Sequence, residues 1–285
     1  MILSFHPCIE ADESDLLGDK PLSSRHIELI KEADAIILPQ ESRRPLYEIC
    51  KRYCDKIFPN YDLRFVYPGK VGQNRLFIDY NLPHPVSRAW ASLEDVEVYF
   101  RKGMPGNSAM PFYLKADLAH EGKGVFLVRD EESFERAISR LSRMDKSRSS
   151  GFLWQEYIPS GGNVLRVVII GKRLFTYWKK PGFQEQRVTT ISSGAKIDYL
   201  WKPELQKKGE NEVRILSEKT GINLAAIDLV FSVELKDPQA FFLEINYYFG
   251  RRGFGGIERY YKLLYDSVRG WLKDSGLDPG AVRLI

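Results

Sequence analysis

The sequence predicts a mixed α/β protein that contains both parallel and antiparallel sheet. Over residues 1–66, short apolar runs alternate with helical patterns, which is typical of a small α/β domain with a parallel sheet. Over residues 224–248, two runs rich in aromatic and β-branched residues, 226–235 and 240–245, flank the sequence KDPQ. Because the Asp-Pro pair in KDPQ favours a turn, these two runs predict an antiparallel hairpin.

The other elements follow in chain order. No glycine-rich phosphate loop follows the first strand, so the N-terminal region is predicted to be a substrate or scaffold domain and not a dinucleotide-binding one. The helix that precedes the hairpin is expected to end at Gly221, because glycine readily adopts the left-handed conformation of a helix C-cap. Strands are expected at MILSF, AIILP, KIFPN, residues 86–90, PFYLKA, VFLV, FLWQEYI and VLRVVII, and helices around residues 23–33, 46–54, 131–143, 210–220 and 260–273.

The composition is that of an ordinary globular protein, with 44% hydrophobic and 28% charged residues among 285. A chain of this length can form a large core that is divided into two or three subdomains. The net charge of +4 results from 42 basic and 38 acidic residues, without a long basic block. This charge gives weak support to a nucleic-acid role and fits an anionic small substrate equally well. A nucleic-acid partner is not expected.

The three cysteines, Cys8, Cys50 and Cys54, cannot all pair with one another, and free thiols in a reducing compartment are the favoured interpretation. The N-terminal sequence MILSFHPCIEADE lacks the basic start and the long apolar region of a secretion signal. No stretch approaches the roughly 18 apolar residues that a membrane helix needs. We expect a cytoplasmic protein without a membrane partner, and a homo-oligomeric state is left open.

Three polar residues interrupt the predicted hairpin: Asp228 in its first strand, and Glu244 and Asn246 in its second. Side chains two apart on a strand share a face, so Glu244 and Asn246 point the same way. Pairing of Asp228 with Asn246 would bring Asp228 to that face, whereas pairing with Tyr247 would turn it away. Two carboxylates and an amide oxygen on one face would suit Mg²⁺. The alternative is that both carboxylates face solvent, although their apolar neighbours make an unpaired carboxylate costly there.

Lone basic residues lie within two other apolar strands, Lys115 in PFYLKA and Arg166 in VLRVVII. Burying such charges without a partner is unfavourable, so the repetition indicates an anionic ligand. After PFYLKA, Gly122 and Gly124 bracket Lys123. This pattern suits a flap whose backbone N–H groups approach phosphates, and it suits an ordinary β-turn equally well.

A hinge sequence follows the strand FLWQEYI, where PSGG precedes the strand VLRVVII. A strand that ends in proline and glycine between two lobes can present free backbone N–H and C=O groups to a flat ligand such as adenine.

The order of these motifs resembles the ATP-grasp superfamily. Lys115, the glycine flap, QEYI, LRVVIIG, a lone Arg187, IDLVFS and LEIN follow one another over residues 70–275, and the ordered set is far more specific than any single member. Within the superfamily, the set resembles the RimK-type and glutathione-synthetase-like carboxylate–amine ligases. The resemblance implies an α/β (α+β) ATP-grasp fold, with an N-terminal Rossmann-like pre-ATP-grasp domain at 1–68, a small flap subdomain with its lead-in at 69–158 and a C-terminal subdomain with the metal site at 159–285.

The resemblance also implies cofactors and site residues. The cofactors would be ATP and two Mg²⁺ ions, with Mn²⁺ as an alternative ion. Arg166 and Arg187 would contact the γ-phosphate and the acyl phosphate that develops from it. The metal ligands would be Asp228, Glu244 and Asn246, and ATP would contact Lys70, Lys115, Gly122, Lys123, Gly124, Gln155, Glu156, Tyr157 and Ile158.

The implied reaction transfers the γ-phosphoryl group to a carboxylate, after which an amine attacks the acyl phosphate to give an amide. The partners would be a small-molecule or peptide carboxylate and an amine acceptor. Arg251 and Arg252 are candidates for holding the substrate carboxylate, or they are solvent-exposed loop arginines. A kinase acting on a hydroxyl and a non-catalytic nucleotide-binding protein are the alternative functions.

The sequence departs from the RimK-type pattern at three places. Val164 stands where that branch has an acidic residue, which affects the expected ribose contacts. After LEIN the chain continues with YYFG, where a small residue, Pro and Gly are expected, and Thr189 and Ile191 replace the expected Asn and His. We therefore expect intact nucleotide and metal machinery beside a rebuilt acceptor pocket.

Overall fold

The structure is a computed structural model, and it describes residues 1–18, 20–101, 110–117, 124–144, 151–182 and 194–285. Its N-terminal region contains β1 (Ile2–Ser4), β2 (Ile9–Glu10), β3 (Glu13–Ser14), α1 (Ser24–Glu32), β4 (Ala35–Ile37), α2 (Arg44–Tyr53), β5 (Ile57–Phe58) and α3 (Asp62–Val66). The strands β3, β1, β4 and β5 form a parallel sheet in that order. The predicted α/β domain with a parallel sheet is confirmed.

A second sheet, which we call the small sheet, lies in the middle of the chain and is antiparallel. The elements there are α4 (Gly69–Asp79), β6 (Ser87–Trp90), α5 (Leu93–Arg101), β7 (Phe112–Ala116), β8 (Val125–Val128), α6 (Glu131–Met144) and β9 (Phe152–Glu156). The strand order is β6-β9-β7-β8. Helices α5 and α6 pack on this sheet through Val96, Phe134 and Ile138. The helix α4 was not predicted, and it carries Lys70.

The C-terminal part of the chain forms a five-stranded antiparallel sheet with the order β12-β11-β10-β13-β14. Its elements are β10 (Val164–Ile170), β11 (Arg173–Lys180), β12 (Lys196–Asp198), α7 (Pro203–Thr220), β13 (Leu224–Val230), β14 (Phe241–Asn246) and α8 (Ile257–Asp274), with a short 3-10 helix (Arg252–Phe254) before α8. A second 3-10 helix (Pro279–Ala281) and β15 (Arg283–Leu284) follow, and β15 pairs with β2 of the N-terminal region.

Both faces of the five-stranded sheet are covered by helices. Alternate residues of β10 such as Leu165 and Val167 join the core that contains Val213 of α7. The residues between them, such as Val168, join the core that contains Val268 of α8. Because both faces of these strands are buried, β10 and β13 are nearly continuous apolar runs. Each charged residue within them is therefore conspicuous.

The predicted hairpin exists as β13 and β14, with a different register and a shorter first strand. Asp228 pairs with Glu244, and Ala226 pairs with Asn246, so neither of the two considered pairings is present, and the register is displaced by two residues from the Asp228–Asn246 alternative. Because the displacement is even, Asp228 still shares a face with Glu244 and Asn246. The prediction of a strand to residue 235 was wrong. The ladder shifts at a bulge after Asp228, and Leu235 is 59% exposed.

Two sequence expectations concern the whole chain. Within the described ranges, none of the helices combines the length and apolar character that a membrane span requires. The cysteines are free thiols, as predicted, and burial raises the pKa of Cys50 to about 12.

Candidate active site

Charged and polar side chains gather on one face of the five-stranded sheet. Arg166 of β10 lies directly opposite Asp228 of β13, and Asp228 lies directly opposite Glu244 of β14. On the other side of Arg166, Tyr177 of β11 is its paired residue, and Lys179 follows two positions later on the same face. The antiparallel register therefore brings residues from four strands into one row.

Asp228 is the centre of this row. Arg166 donates two hydrogen bonds to its carboxylate, from Nε to Oδ1 and from Nη2 to Oδ2, each of 2.8 Å. Lys179 Nζ donates to Oδ2 at 2.8 Å, and the Asn246 amide lies 3.4 Å from the same oxygen. Burial alone would raise the pKa of Asp228, but Arg166 and Lys179 outweigh burial and hold this pKa well below its usual range.

Lys179 is a site residue that the sequence interpretation missed. It is 4% exposed, so its ammonium depends on Asp228 for compensation. Burial lowers the pKa of Lys179, and the charge of Asp228 opposes that shift. The signal that identified Lys115 and Arg166, a lone charge in an apolar strand, was hidden here because Lys180 and Pro181 follow and suggest a polar strand end.

Glu244 lies near two further lysines, Lys70 and Lys115. Its charge raises the pKa of both Lys70 and Lys115 against the effect of burial. Lys115 is 8% exposed, and burial lowers its pKa to about 8. Within the described residues, the carboxylate of Glu244 accepts no hydrogen bond, so its oxygens are available to a ligand.

Lys115 is oriented by Gln155, which the sequence interpretation assigned to ATP binding. Lys115 Nζ donates to Gln155 Oε1 at 2.5 Å, and Gln155 Nε2 donates to Ser87 Oγ at 3.2 Å. Gln155 is only 1% exposed. The buried amide therefore acts on the predicted nucleotide site through Lys115, because its own polar atoms are already engaged.

Lys70 lies in the first turn of α4, and Asp117, which directly follows β7, holds that turn in place. Val71 N donates to Asp117 Oδ1 at 2.7 Å, so Asp117 satisfies one of the unpaired N–H groups at the start of α4. Gly69 makes this approach possible, because a Cβ there would lie 2.3 Å from Asp117 Oδ1. Asp117 was also missed, since nothing in its local sequence marks it as the cap of a distant helix.

The segment 156–158 includes the end of β9 and begins the connection to β10 of the five-stranded sheet. Glu156 ends β9, is exposed, and donates its N–H to Val86 O at 2.9 Å. Ile158 O accepts from Ser160 N at 2.7 Å, whereas the Tyr157 ring lies 5.8 Å from that of Tyr113. The predicted adenine segment thus lies between the two sheets that carry the lysines and the carboxylates.

The two loop arginines differ in their surroundings. The Arg251 guanidinium stacks over Tyr260 and Tyr261, 5.2 Å from each ring centroid, and its Nε is buried without a hydrogen bond. The charge of Arg251 adds to burial in lowering the pKa of His6 to about 4, so Arg251 lies beside the loop that follows β1. Arg252 is exposed. Arg251 therefore lies close to the N-terminal region.

Three of the predicted site residues, Gly122, Lys123 and Arg187, lie outside the described residues. Gly124 lies directly before β8, and its carbonyl accepts from Ala116 N at 2.8 Å. The expectation of a phosphate-binding flap at these glycines stays a prediction.

The oxygen donors of the row fit a hard divalent cation. The carboxylates of Asp228 and Glu244 oppose each other on adjacent strands, and Asn246 follows on the same face. The Asn246 amide nitrogen points to Asp228, which leaves Asn246 Oδ1 free of that bond. Carboxylate and amide oxygens are the ligands that Mg²⁺ and Mn²⁺ take in proteins. Whether these residues bind such an ion stays a proposal.

Comparison with solved structures shows which fold this is. N5-carboxyaminoimidazole ribonucleotide synthetase, PurK, solved as its ADP complex, matches with a TM-score of 0.58 at 11% identity, over 84% of this chain and 60% of that chain. A RimK-domain ATP-grasp protein from Sphaerobacter thermophilus matches with a TM-score of 0.58 at 16% identity, over 83% and 81% of the two chains. D-alanine–D-alanine ligase from Helicobacter pylori matches with a TM-score of 0.57 at 14% identity, over 82% and 72%.

These likenesses show that the chain has the ATP-grasp fold, which confirms the fold implied by its motifs. The chain spans 60% of the length of the synthetase, which it resembles at only 11% identity. No protein-family model matches the sequence, and no curated protein matches it either.

Replacing Asp228 with Asn tests the electrostatics of the row. The variant leaves Arg166 and Lys179 buried against a neutral partner, so we expect the free energy of unfolding to fall by about 3 kcal/mol or more in urea denaturation. Adding Lys179→Met removes one uncompensated cation at similar volume, so the double variant should regain part of this loss. A double variant that is no more stable than Asp228→Asn alone would contradict the pairing of Lys179 with Asp228.

Proposed function

We propose that this protein is an ATP- and Mg²⁺-dependent ligase that joins a carboxylate to an amine and releases ADP and phosphate. The main support for the proposal is that, within an ATP-grasp fold, oxygen ligands suited to a hard metal ion lie close to four buried or half-buried cations. Those cations are Lys70, Lys115, Arg166 and Lys179. Positive groups around a metal site suit a polyphosphate better than a neutral ligand.

The lysines of the small sheet and α4 are the proposed phosphate ligands. Lys115 is already oriented by Gln155, and Lys70 is held at the start of a helix whose N-terminus favours anions. Glu244 lies near both ammonium groups. A nucleotide whose base occupies the hinge at 156–158 would place its phosphates between these lysines and the carboxylates. Gly122 and Lys123 are proposed to close over them.

Asp228, Glu244 and Asn246 are the proposed ligands of Mg²⁺, with Mn²⁺ as an alternative ion. Bound Mg²⁺ would neutralise part of the charge on the phosphate oxygens and favour phosphoryl transfer. In the free protein, Arg166 and Lys179 take both oxygens of Asp228. Their charges keep Asp228 ionised and ready to bind a cation. The same guanidinium and ammonium, with Arg187 as a further candidate, are proposed to donate hydrogen bonds to the γ-phosphate.

The proposed reaction has two steps. A carboxylate oxygen of the first substrate attacks the γ-phosphorus, and the bond from that phosphorus to the bridging oxygen of ADP breaks. The nitrogen of the amine then attacks the carbonyl carbon of the acyl phosphate, inorganic phosphate leaves, and the nitrogen loses a proton. Hydrogen-bond donors fixed before the reaction stabilise the charge that develops on the transferred group, because they need not reorganise.

Arg251 is the proposed contact of the substrate carboxylate. Its guanidinium has no salt-bridge partner among the described residues, lies over Tyr260 and Tyr261, and follows the metal-ligand strand closely. A planar guanidinium suits bidentate binding of a carboxylate. The exposed Arg252 is a weaker candidate. The small-molecule or peptide nature of the substrates, the cytoplasmic location and the oligomeric state stay predictions from the sequence.

Turnover assays with amino acids and short peptides test the reaction class. We expect ADP release to require both a carboxylate and an amine, and mass spectrometry to detect the amide product. Asp228→Asn should lower kcat by at least about 100-fold through loss of the cation and its charge stabilisation. Asp237→Asn, in an exposed loop, is the control and should retain wild-type turnover. ADP release that needs only a hydroxyl compound would favour a kinase, and binding without turnover would favour a regulatory protein.

The pKa of Lys115 predicts how nucleotide affinity depends on pH. Burial lowers this pKa from 10.5 to about 8, so the free protein loses the charge of Lys115 as pH rises through about 8. Because phosphate binding favours the charged form, affinity for an ATP analogue should fall above that pH, by up to about tenfold per pH unit. Lys115→Arg stays charged and should flatten the profile. A flat wild-type profile between about pH 7 and 9.5 would contradict the assignment.

A further inference from the structure

Gln73 makes an unusual pair of contacts with the backbone of the metal-ligand strand. Its side-chain Nε2 donates to Ile245 O at 2.8 Å, and Ile245 N donates to its Oε1 at 2.8 Å. A glutamine amide contains one donor group and one acceptor group, as a peptide unit does. Gln73 therefore replaces the neighbouring strand that Ile245 lacks on this side.

The position of β14 explains why such a contact is needed. In the described sheet, β14 is an edge strand whose only strand neighbour is β13. On the open side of β14, Phe242 N donates to Pro83 O at 2.8 Å, but the N–H and C=O groups of Ile245 have no strand to pair with. Ile245 is 2% exposed, so its unpaired groups would have little access to solvent.

The contact falls between two proposed metal ligands. Glu244 and Asn246 flank Ile245 in sequence, and their side chains point to the opposite face from that of Ile245. A shift of the Ile245 backbone would displace both ligands relative to Asp228, which is held independently by Arg166 and Lys179.

The same helix also carries a proposed phosphate ligand. Gln73 lies one turn after Lys70, whose turn is fixed by Asp117 through the Val71 N–H group. Farther along α4, the Phe77 ring packs 5.5 Å from that of Phe242 on β14. Helix α4 is thus attached to the small sheet at its first turn and to β14 at its later turns.

We propose that Gln73 is a positioning residue that fixes Glu244 and Asn246 relative to Asp228 and Lys70, and thereby sets the strength of Mg²⁺-dependent nucleotide binding. This inference rests on the proposed function, because it assigns Gln73 to the same metal site. Groups that orient metal ligands typically alter metal affinity by roughly 10- to 100-fold when removed.

Gln73→Met tests the inference, because methionine matches the length of glutamine but has neither the amide donor nor the amide acceptor. The Ile245 amide should exchange with solvent on the order of tenfold faster in the free protein. The Mg²⁺ concentration that half-saturates binding of a non-hydrolysable ATP analogue should rise by about tenfold. Binding of the analogue without Mg²⁺ should stay unchanged, because Gln73 does not contact the proposed phosphate ligands.

Arg75→Met is the matched control on the same helix, since Arg75 is exposed and its side chain forms a salt bridge with Asp79. It should change neither amide exchange at Ile245 nor the Mg²⁺ requirement. Gln73→Glu retains the acceptor for Ile245 N and loses the donor, so its Ile245 exchange rate should be intermediate. This second variant keeps the test valid should Gln73→Met fail to fold.

The outcomes separate the inference from the proposed function. A wild-type protein that shows no Mg²⁺-dependent binding of the analogue contradicts the proposed function, and the role of Gln73 with it. Wild-type binding with an unchanged Mg²⁺ requirement in Gln73→Met contradicts the positioning role alone. Unchanged Ile245 exchange in the same variant would show that the two hydrogen bonds do not hold β14.

Discussion

The buried carboxylate of Asp228 is the constraint on which the rest of the site depends. A carboxylate at 5% exposure within an apolar sheet is strongly unfavourable unless cations compensate it. Arg166 and Lys179 supply that compensation from the two strands β10 and β11, so both must also be buried. The antiparallel register that places these groups side by side places Glu244 opposite Asp228 as well. One electrostatic requirement thereby brings the cationic groups and the proposed metal ligands together.

The sequence predicted most of the large sheet because its strands are apolar on both faces, which makes an isolated charge such as Arg166 or Asp228 conspicuous. It predicted that Glu244 and Asn246 share a face but left open whether Asp228 joins them, since that depends on the parity of the register. The register itself could not be predicted, because the bulge after Asp228 has no signal in the local sequence. For the same reason, the first strand of the hairpin was predicted to be longer than it is.

The residues that were missed act through contacts distant in sequence. Helix α4 contains Gly69, Gly72 and Asn74, which are poor helix formers, and Asp117, which follows β7, supports its first turn. Gln73 can bond to the backbone of Ile245 only because β14 lies beside α4. Such roles depend on tertiary structure and leave no periodic or compositional pattern. Lys115, by contrast, could be identified, because burying its charge within an apolar strand is energetically unfavourable.

Calorimetric titration with a non-hydrolysable ATP analogue, with and without Mg²⁺, is the most direct test of a nucleotide and metal site at this row of residues. We expect Mg²⁺ to strengthen binding to the wild-type protein and Glu244→Ala to lose that effect. Glu234→Ala, in the exposed loop after β13, should behave as the wild type. Absence of analogue binding to the wild-type protein under both conditions would contradict the account and leave only the fold.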